Sequence, residues 1–195
     1  MKRSSCKSAL LIIDVQEDFC NGSLKVEGCK TIVPKINKLI KFFNDNHCPV
    51  IYTQDFHPQH HVSFKERGGP WPAHCVQGSH GAEFVPELIM SKNSIIVQKG
   101  QNLELDSYSG FFDNDHKSQT VLYKILQSKN INTVFIVGIA TNFCVKYTAL
   151  DAKSLGFETY VISEACIGVP DNIAGPENSD IKVKAEMVSK GIHLI

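Results

Sequence analysis

Apolar residues along this chain fall into short unbroken runs that alternate with stretches of helical period. The runs at 10–13, 50–54, 94–98 and 133–138 have the length and β-branched content of strands. They show little of the in–out alternation of a half-solvated sheet, so they predict strands covered on both faces. After the first run, Ile32, Val33, Ile36, Leu39, Ile40 and Phe43 follow the i, i+3/i+4, i+7 spacing of a helix with one buried face. Val121, Leu122, Ile125 and Leu126 repeat that spacing. Residues 144–155 predict a third helix, stopped by Gly156 at the C′ position, with a strand at 158–162 directly after it. A last helix at 180–190 ends at Gly191 before a short strand at 192–195.

Strand–helix alternation of this kind predicts an α/β fold, a three-layer α/β/α sandwich around a mostly parallel sheet of about six strands. Residues 1–195 are expected to form a single domain, since no linker, repeat or low-complexity tract interrupts them. One segment breaks the rhythm. Residues 56–81 are rich in His, Pro and Gly, and a long irregular loop inside a compact domain is usually functional.

Composition removes several alternatives. Twenty basic residues balance twenty acidic ones, and no basic cluster suggests a nucleic-acid partner. The basic stretch at residues 1–8 leads into an apolar run too short for a secretory signal, and no run is long enough to span a bilayer. A cytoplasmic protein, with access to the nucleus left open, is expected. The near-zero charge lowers one barrier to a homo-oligomer. The cysteines (6, 20, 29, 48, 75, 144 and 166) are odd in number and lack a C-x-x-C pair, so most are expected to be reduced packing residues.

In an open parallel sheet the carboxyl ends of the strands share one edge, where ligands bind. The four principal runs lead there to Asp14, to Asp55 and His57, to Lys99, and, after a turn, to Cys144. Thr141 or Asn142 could cap the helix that follows, which would put Cys144 in its first turn. A helix N-terminus lowers a thiol's pKa and offers free N–H groups, the two things acyl transfer needs. Asp14 could move the thiol proton, and Lys99 could steady both negative charges. Taken singly, each has an ordinary reading as a packing cysteine, a capping aspartate or a solvated lysine.

Asp55 and His57, two apart on an extended strand, point to the same side, and His74 follows in the irregular loop. Together they suit zinc, with manganese or iron as alternatives, and leave open positions for a ligand. His61 and Ser63 are weaker candidates for the ion's water shell; His60, His61 and His80 are expected to be exposed. Phe19, Trp71 and Tyr108 could wall a flat aromatic ligand, although such residues more often fill core.

Taken together, these residues resemble the nicotinamidase (pyrazinamidase/nicotinamidase) branch of the isochorismatase-like cysteine hydrolases. The resemblance runs over nearly the whole chain. It is carried by Leu11-Ile12-Ile13-Asp14-Val15-Gln16-x-x-Phe19, Asp55-Phe56-His57-Pro58, His61-x-Ser63-Phe64, Trp71-Pro72-x-His74-Cys75, Lys99-Gly100, Tyr108-Ser109-Gly110-Phe111 and Gly138-Ile139-Ala140-Thr141-x-x-Cys144. It implies hydrolysis of nicotinamide to nicotinate and ammonia, feeding NAD salvage. It further implies an Asp14, Lys99, Cys144 triad, and one divalent metal on Asp55, His57 and His74 with a water-mediated contact to Ser63. A cis peptide at Ile139–Ala140 would turn the Ala140 N–H toward that of Cys144 as an oxyanion hole. Phe19, Trp71, Tyr108, Ile139 and Ala140 would contact the substrate. The alternative is a metal-independent amidase or carbamoyl hydrolase built on the same triad. Residues 111–117 are more polar than the segments around them and receive no role.

Overall fold

A computed structural model describes residues 6–90 and 94–195. Residues 1–5, which hold most of the basic N-terminal stretch, lie outside the described residues. Six strands, β1 (Ser8–Ile13), β2 (Val50–Asp55), β3 (Ile95–Lys99), β4 (Thr133–Ile139), β5 (Glu158–Ile167) and β6 (His193–Leu194), form one parallel sheet in the order β3-β2-β1-β4-β5-β6. Strand order reverses between β1 and β4, and at such a switch point the loops above the strands part to leave a crevice.

The helices cover both faces. Helix α1 (Glu17–Cys20) is a single turn, and α2 (Cys29–Asp45) carries the chain from β1 to β2. Helices α3 (Leu122–Ser128), α4 (Lys146–Ser154), α5 (Asp171–Ala174) and α6 (Asp180–Ser189) follow in the second half. Right-handed crossovers that run one way from β1 to β2 and the other way from β3 through β4 to β6 require helices on opposite faces. Helix α2 accordingly packs on β1, β4 and β5, while α4 packs on β5 and α6. Ala9 through Ile13 of β1 are fully buried beneath the two helical layers. Each such aliphatic side chain stabilises the fold by about 1.5–3 kcal/mol. Among the described residues no helix is long and apolar enough to cross a membrane.

The predicted boundaries shift in two instructive places. The helix expected from 144 begins as a π turn, Thr141–Val145, and becomes α-helical only at Lys146. Neither Thr141 nor Asn142 caps it. Asn142 instead spends its side chain on Val169, donating Nδ2–H to the carbonyl at 2.8 Å and accepting the N–H on Oδ1 at 3.0 Å. β5 is also longer than expected, because a bulge against β4 resets the register and lets pairing resume at Gly138↔Cys166.

The expectation of unpaired cysteines is corrected. Cys6 pairs with Cys48 and Cys20 with Cys29, at Cα separations of 5.2 and 5.1 Å that suit disulfides. Cys6 precedes β1 and Cys48 precedes the adjacent parallel β2, so the topology brings together two residues that sequence spacing does not relate.

Gly138 has φ +119°, and a Cβ there would collide with the backbone of Ile13 on β1. Gly138→Ala is therefore expected to cost at least ~2 kcal/mol. Chemical denaturation would read this as a lower midpoint.

Candidate active site

Register explains why an acid and a lysine meet. Asp55 and Lys99 are direct partners across β2 and β3, so neighbouring strand ends present their side chains together. Lys99 Nζ lies 2.7 Å from Asp55 Oδ1, 3.0 Å from Asp14 Oδ2 and 3.5 Å from Cys144 Sγ, and donates to the Ser107 carbonyl at 3.0 Å. Lys99 and Asp14 are 1% and 0% exposed, so this ion triplet is shielded from water. β1 ends in Asp14 with φ 48°, a left-handed turn that Asp tolerates better than most residues. Thr53, two positions before Asp55 on the same side of β2, donates its hydroxyl to Asp14 Oδ1 at 2.6 Å and accepts the Asp14 N–H at 3.2 Å.

Burial sets the proton balance. Desolvation raises the Asp14 carboxyl despite the opposing charge of Lys99, with the Asp55 carboxylate adding to the rise. Burial also pushes the Cys144 thiol well above its usual range, against the pull of Lys99. This corrects the thiol lowering expected from a helix N-terminus. Here the thiol sits in a π turn, beside Asp14 and Asp55 and out of water, so the neutral form is favoured. For Lys99, burial opposes the charged form, but Asp14 and Asp55 outweigh it and hold the ammonium well above its ordinary range. Asp55 is likewise kept ionised against burial by Lys99 and His57.

On the other side of Asp55 stand two imidazoles. His57 donates Nδ1–H to the Gly100 carbonyl at 2.9 Å, and His74 donates Nδ1–H to the Pro72 carbonyl at 2.8 Å. Each ring therefore turns Nε2 toward Asp55 Oδ2, at 3.4 and 3.8 Å. Carbonyl-oriented imidazoles converging with a carboxylate form a donor set that fits a divalent metal. Burial, helped by the neighbouring His57, lowers His74 to about 4, which keeps its ring neutral. Gly100 is needed for this approach: its φ is +66° and a Cβ would strike the His57 ring.

Two other groups of acids, imidazoles and thiols converge among the described residues, and neither fits an ion. In the group of Asp14, Asp55 and Cys144 the Lys99 ammonium already occupies the centre. In the group of His57, His61 and Asp106 both His61 nitrogens are engaged, Nδ1 by Ser63 Oγ at 2.7 Å and Nε2 by the Leu105 carbonyl at 3.2 Å. His61 is thus fully buried, not exposed as expected, while His60 and His80 are exposed.

Cys144 opens onto a narrow cleft at this edge of the sheet. Phe19, Trp71, Tyr108, Ala140, Asp55 and His74 line it as anticipated; Leu24, Val26, Asp106, Phe143 and Val169 were not foreseen. Trp71 donates Nε1–H to the Tyr108 hydroxyl at 3.1 Å and meets Phe143 edge-on at 5.0 Å, which braces the aromatic wall. The peptide Ile139–Ala140 is cis. Ile139 itself does not line the cleft. It ends β4 opposite Ile167, is 1% exposed and belongs to the core. Residues 111–117 reverse the chain, with Phe111 buried and the polar positions in the turn; Ser107, whose carbonyl accepts from Lys99, donates its hydroxyl to the Phe112 carbonyl at 3.1 Å.

Residues 8–174 match the isochorismatase domain. The chain belongs to the isochorismatase domain family. Within it, the chain is 40% identical to the nicotinamidase of Acinetobacter baylyi over 181 residues, which cover 84% of this chain and 83% of that one. A solved pyrazinamidase of Pyrococcus horikoshii in complex with zinc superposes with a TM-score of 0.87 at 38% identity, covering 97% and 99% of the two chains. A nicotinamidase/pyrazinamidase structure from Acinetobacter baumanii gives 0.89 at 38% identity, covering 100% and 97%. The family assignment agrees with the six-stranded parallel sheet, and the donor set at Asp55, His57 and His74 agrees with a divalent metal.

Replacing Lys99 by Met would leave two buried carboxylates without their cation. A stability loss of about 3–5 kcal/mol is expected, readable in urea unfolding of the purified variant.

Proposed function

We propose that this chain is a metal-dependent nicotinamidase, hydrolysing nicotinamide to nicotinate and ammonia and so feeding NAD salvage. The observation that carries the reading is the double use of Asp55. One carboxylate oxygen holds the Lys99 ammonium beside Asp14 and Cys144, and the other faces the His57 and His74 nitrogens, all at one aromatic-walled cleft. A nucleophile and a ring anchor side by side suit an aromatic amide with a ring nitrogen. The names of the relatives at 38–40% identity point to the same substrate class.

Asp55, His57 and His74 would hold the metal, with Ser63 reaching it through water. Zinc is proposed over manganese or iron because two imidazoles and a carboxylate suit its borderline character. When bound, the ion supplies a Lewis-acidic anchor for the pyridine nitrogen. Phe19, Trp71 and Tyr108 hold the ring, so the carboxamide carbon meets Cys144 Sγ in a fixed orientation.

Asp14, made more basic by burial, accepts the Sγ proton as the sulfur adds to the carboxamide carbon. The developing oxyanion is received by the Ala140 and Cys144 N–H groups. Lys99 steadies both the Asp14 carboxylate and the sulfur's charge. The C–N bond then breaks and Asp14 returns the proton to the departing ammonia. In the second half Asp14 takes a proton from water, and the hydroxide attacks the thioester. The C–S bond breaks, the Asp14 proton restores the thiol, and nicotinic acid leaves, giving its carboxyl proton to solvent to become nicotinate.

Cys144→Ala is expected to release no ammonia from nicotinamide while still taking up zinc and nicotinamide; full activity in that variant would overturn the thioester route. Chelation should abolish activity and added zinc should restore it. His57→Ala, which removes a direct ligand, should weaken zinc binding by more than the roughly 10- to 100-fold that loss of a ligand's hydrogen-bond partner costs, measured by competition with a chromophoric chelator. Activity indifferent to chelation would support a metal-independent amidase instead.

A further inference from the structure

Gln16 is fully buried, yet neither the triplet nor the imidazole pair uses it. Its side chain makes three hydrogen bonds. Oε1 accepts the backbone N–H of Asp55 at 2.8 Å, and Nε2 donates to the Asp55 carbonyl at 2.8 Å and to the Ala82 carbonyl at 2.9 Å. An amide that gives one bond to a residue's carbonyl and takes one from its N–H reproduces the pairing of a neighbouring strand. That is the partner Asp55 lacks. The β1–β2 ladder runs through Leu10↔Val50 to Ile12↔Tyr52, and β1 then turns away at Asp14, before it could reach the level of Asp55.

We propose that Gln16 is a positioning residue whose amide continues the sheet by side chain, fixing the end of β2 so that the Asp55 carboxylate faces Lys99 and the two imidazoles together. One further bond connects it. Gln16 N–H donates to the Asp14 carbonyl at 2.9 Å, so the segment that bears the base is tied to the backbone that bears the shared acid. Through Ala82 it is also anchored to the loop closing over that side, where Gln16 bridges Phe84. An apolar side chain of similar length would fill the space but leave the Asp55 N–H and carbonyl without partners in a dry site. The strand end would then shift to find others, and the carboxylate would move away from the two imidazole Nε2 atoms that it now faces.

The inference rests on the metal reading above, and it is tested by zinc affinity, independent of turnover. Gln16→Met and Gln16→Glu are compared with the wild-type chain and with Val15→Ala, a cavity in the adjacent core that touches none of these bonds. Zinc binding is measured by competition with a chromophoric chelator, and folding of each apo protein by circular dichroism. The expected result is a loss of about 10- to 100-fold in zinc affinity for both Gln16 variants, with Val15→Ala within about two-fold of wild type. Gln16→Glu keeps the acceptor and the shape but sets an oxygen against two carbonyls, so it carries the test if Gln16→Met does not fold. Undiminished zinc affinity in a folded Gln16 variant, or an equal loss in Val15→Ala, would overturn the positioning role alone. A wild-type chain that takes up no zinc would overturn both this inference and the metal reading.

Discussion

A single ammonium out of reach of water organises the centre of this molecule. Lys99 Nζ lies between the Asp14 and Asp55 carboxylates with Cys144 Sγ beside it. Taking these charges out of water costs several kcal/mol per ion, offset by their mutual attraction and by the bonds to Thr53 and the Ser107 carbonyl. Removing the ammonium would leave both carboxylates buried without a cation, whereas removing one carboxylate leaves Lys99 paired with the other. The same balance sets the protonation: Lys99 and His57 keep Asp55 ionised against burial, while desolvation raises Asp14 and favours the neutral thiol of Cys144.

The parallel sheet makes that convergence inexpensive in chain entropy. Residues far apart in sequence arrive at one edge because they end neighbouring strands, and the reversal of strand order between β1 and β4 opens space above them. Asp55 then serves two groups because its two oxygens face different neighbours. The backbone that carries it is held from both sides, by β3 through the Lys99 carbonyl, which accepts the Phe56 N–H at 3.0 Å, and by the Gln16 amide.

Much of this was legible in the residues. The uninterrupted apolar runs identified β1, β2 and β4, and the chemistry-bearing residue after each run proved to be a neighbour of the others. The interval of two between Asp55 and His57 anticipated their shared side; the same interval backward would have found Thr53. What stayed hidden depended on contacts that no local spacing encodes. The Cys6–Cys48 approach follows from strand order, and the π turn at Thr141 follows from Asn142 being drawn to Val169. His61 is buried because Ser63 and Leu105 satisfy both its nitrogens. The family resemblance implied a substrate contact for Ile139, whereas the residue is buried at the end of β4 and does not line the cleft.

β3 is the outermost strand on its side of the sheet, and Ile96 within it remains 44% exposed. Outer strands with one hydrogen-bonded neighbour are the first to fray, at a free energy below that of global unfolding. The buried ammonium is thus carried by an edge strand of the sheet. Partial detachment of that strand would withdraw Lys99 from Asp14 and Asp55 while helices and inner strands remain intact, so the buried ion triplet would come apart locally, ahead of the melting of the molecule as a whole.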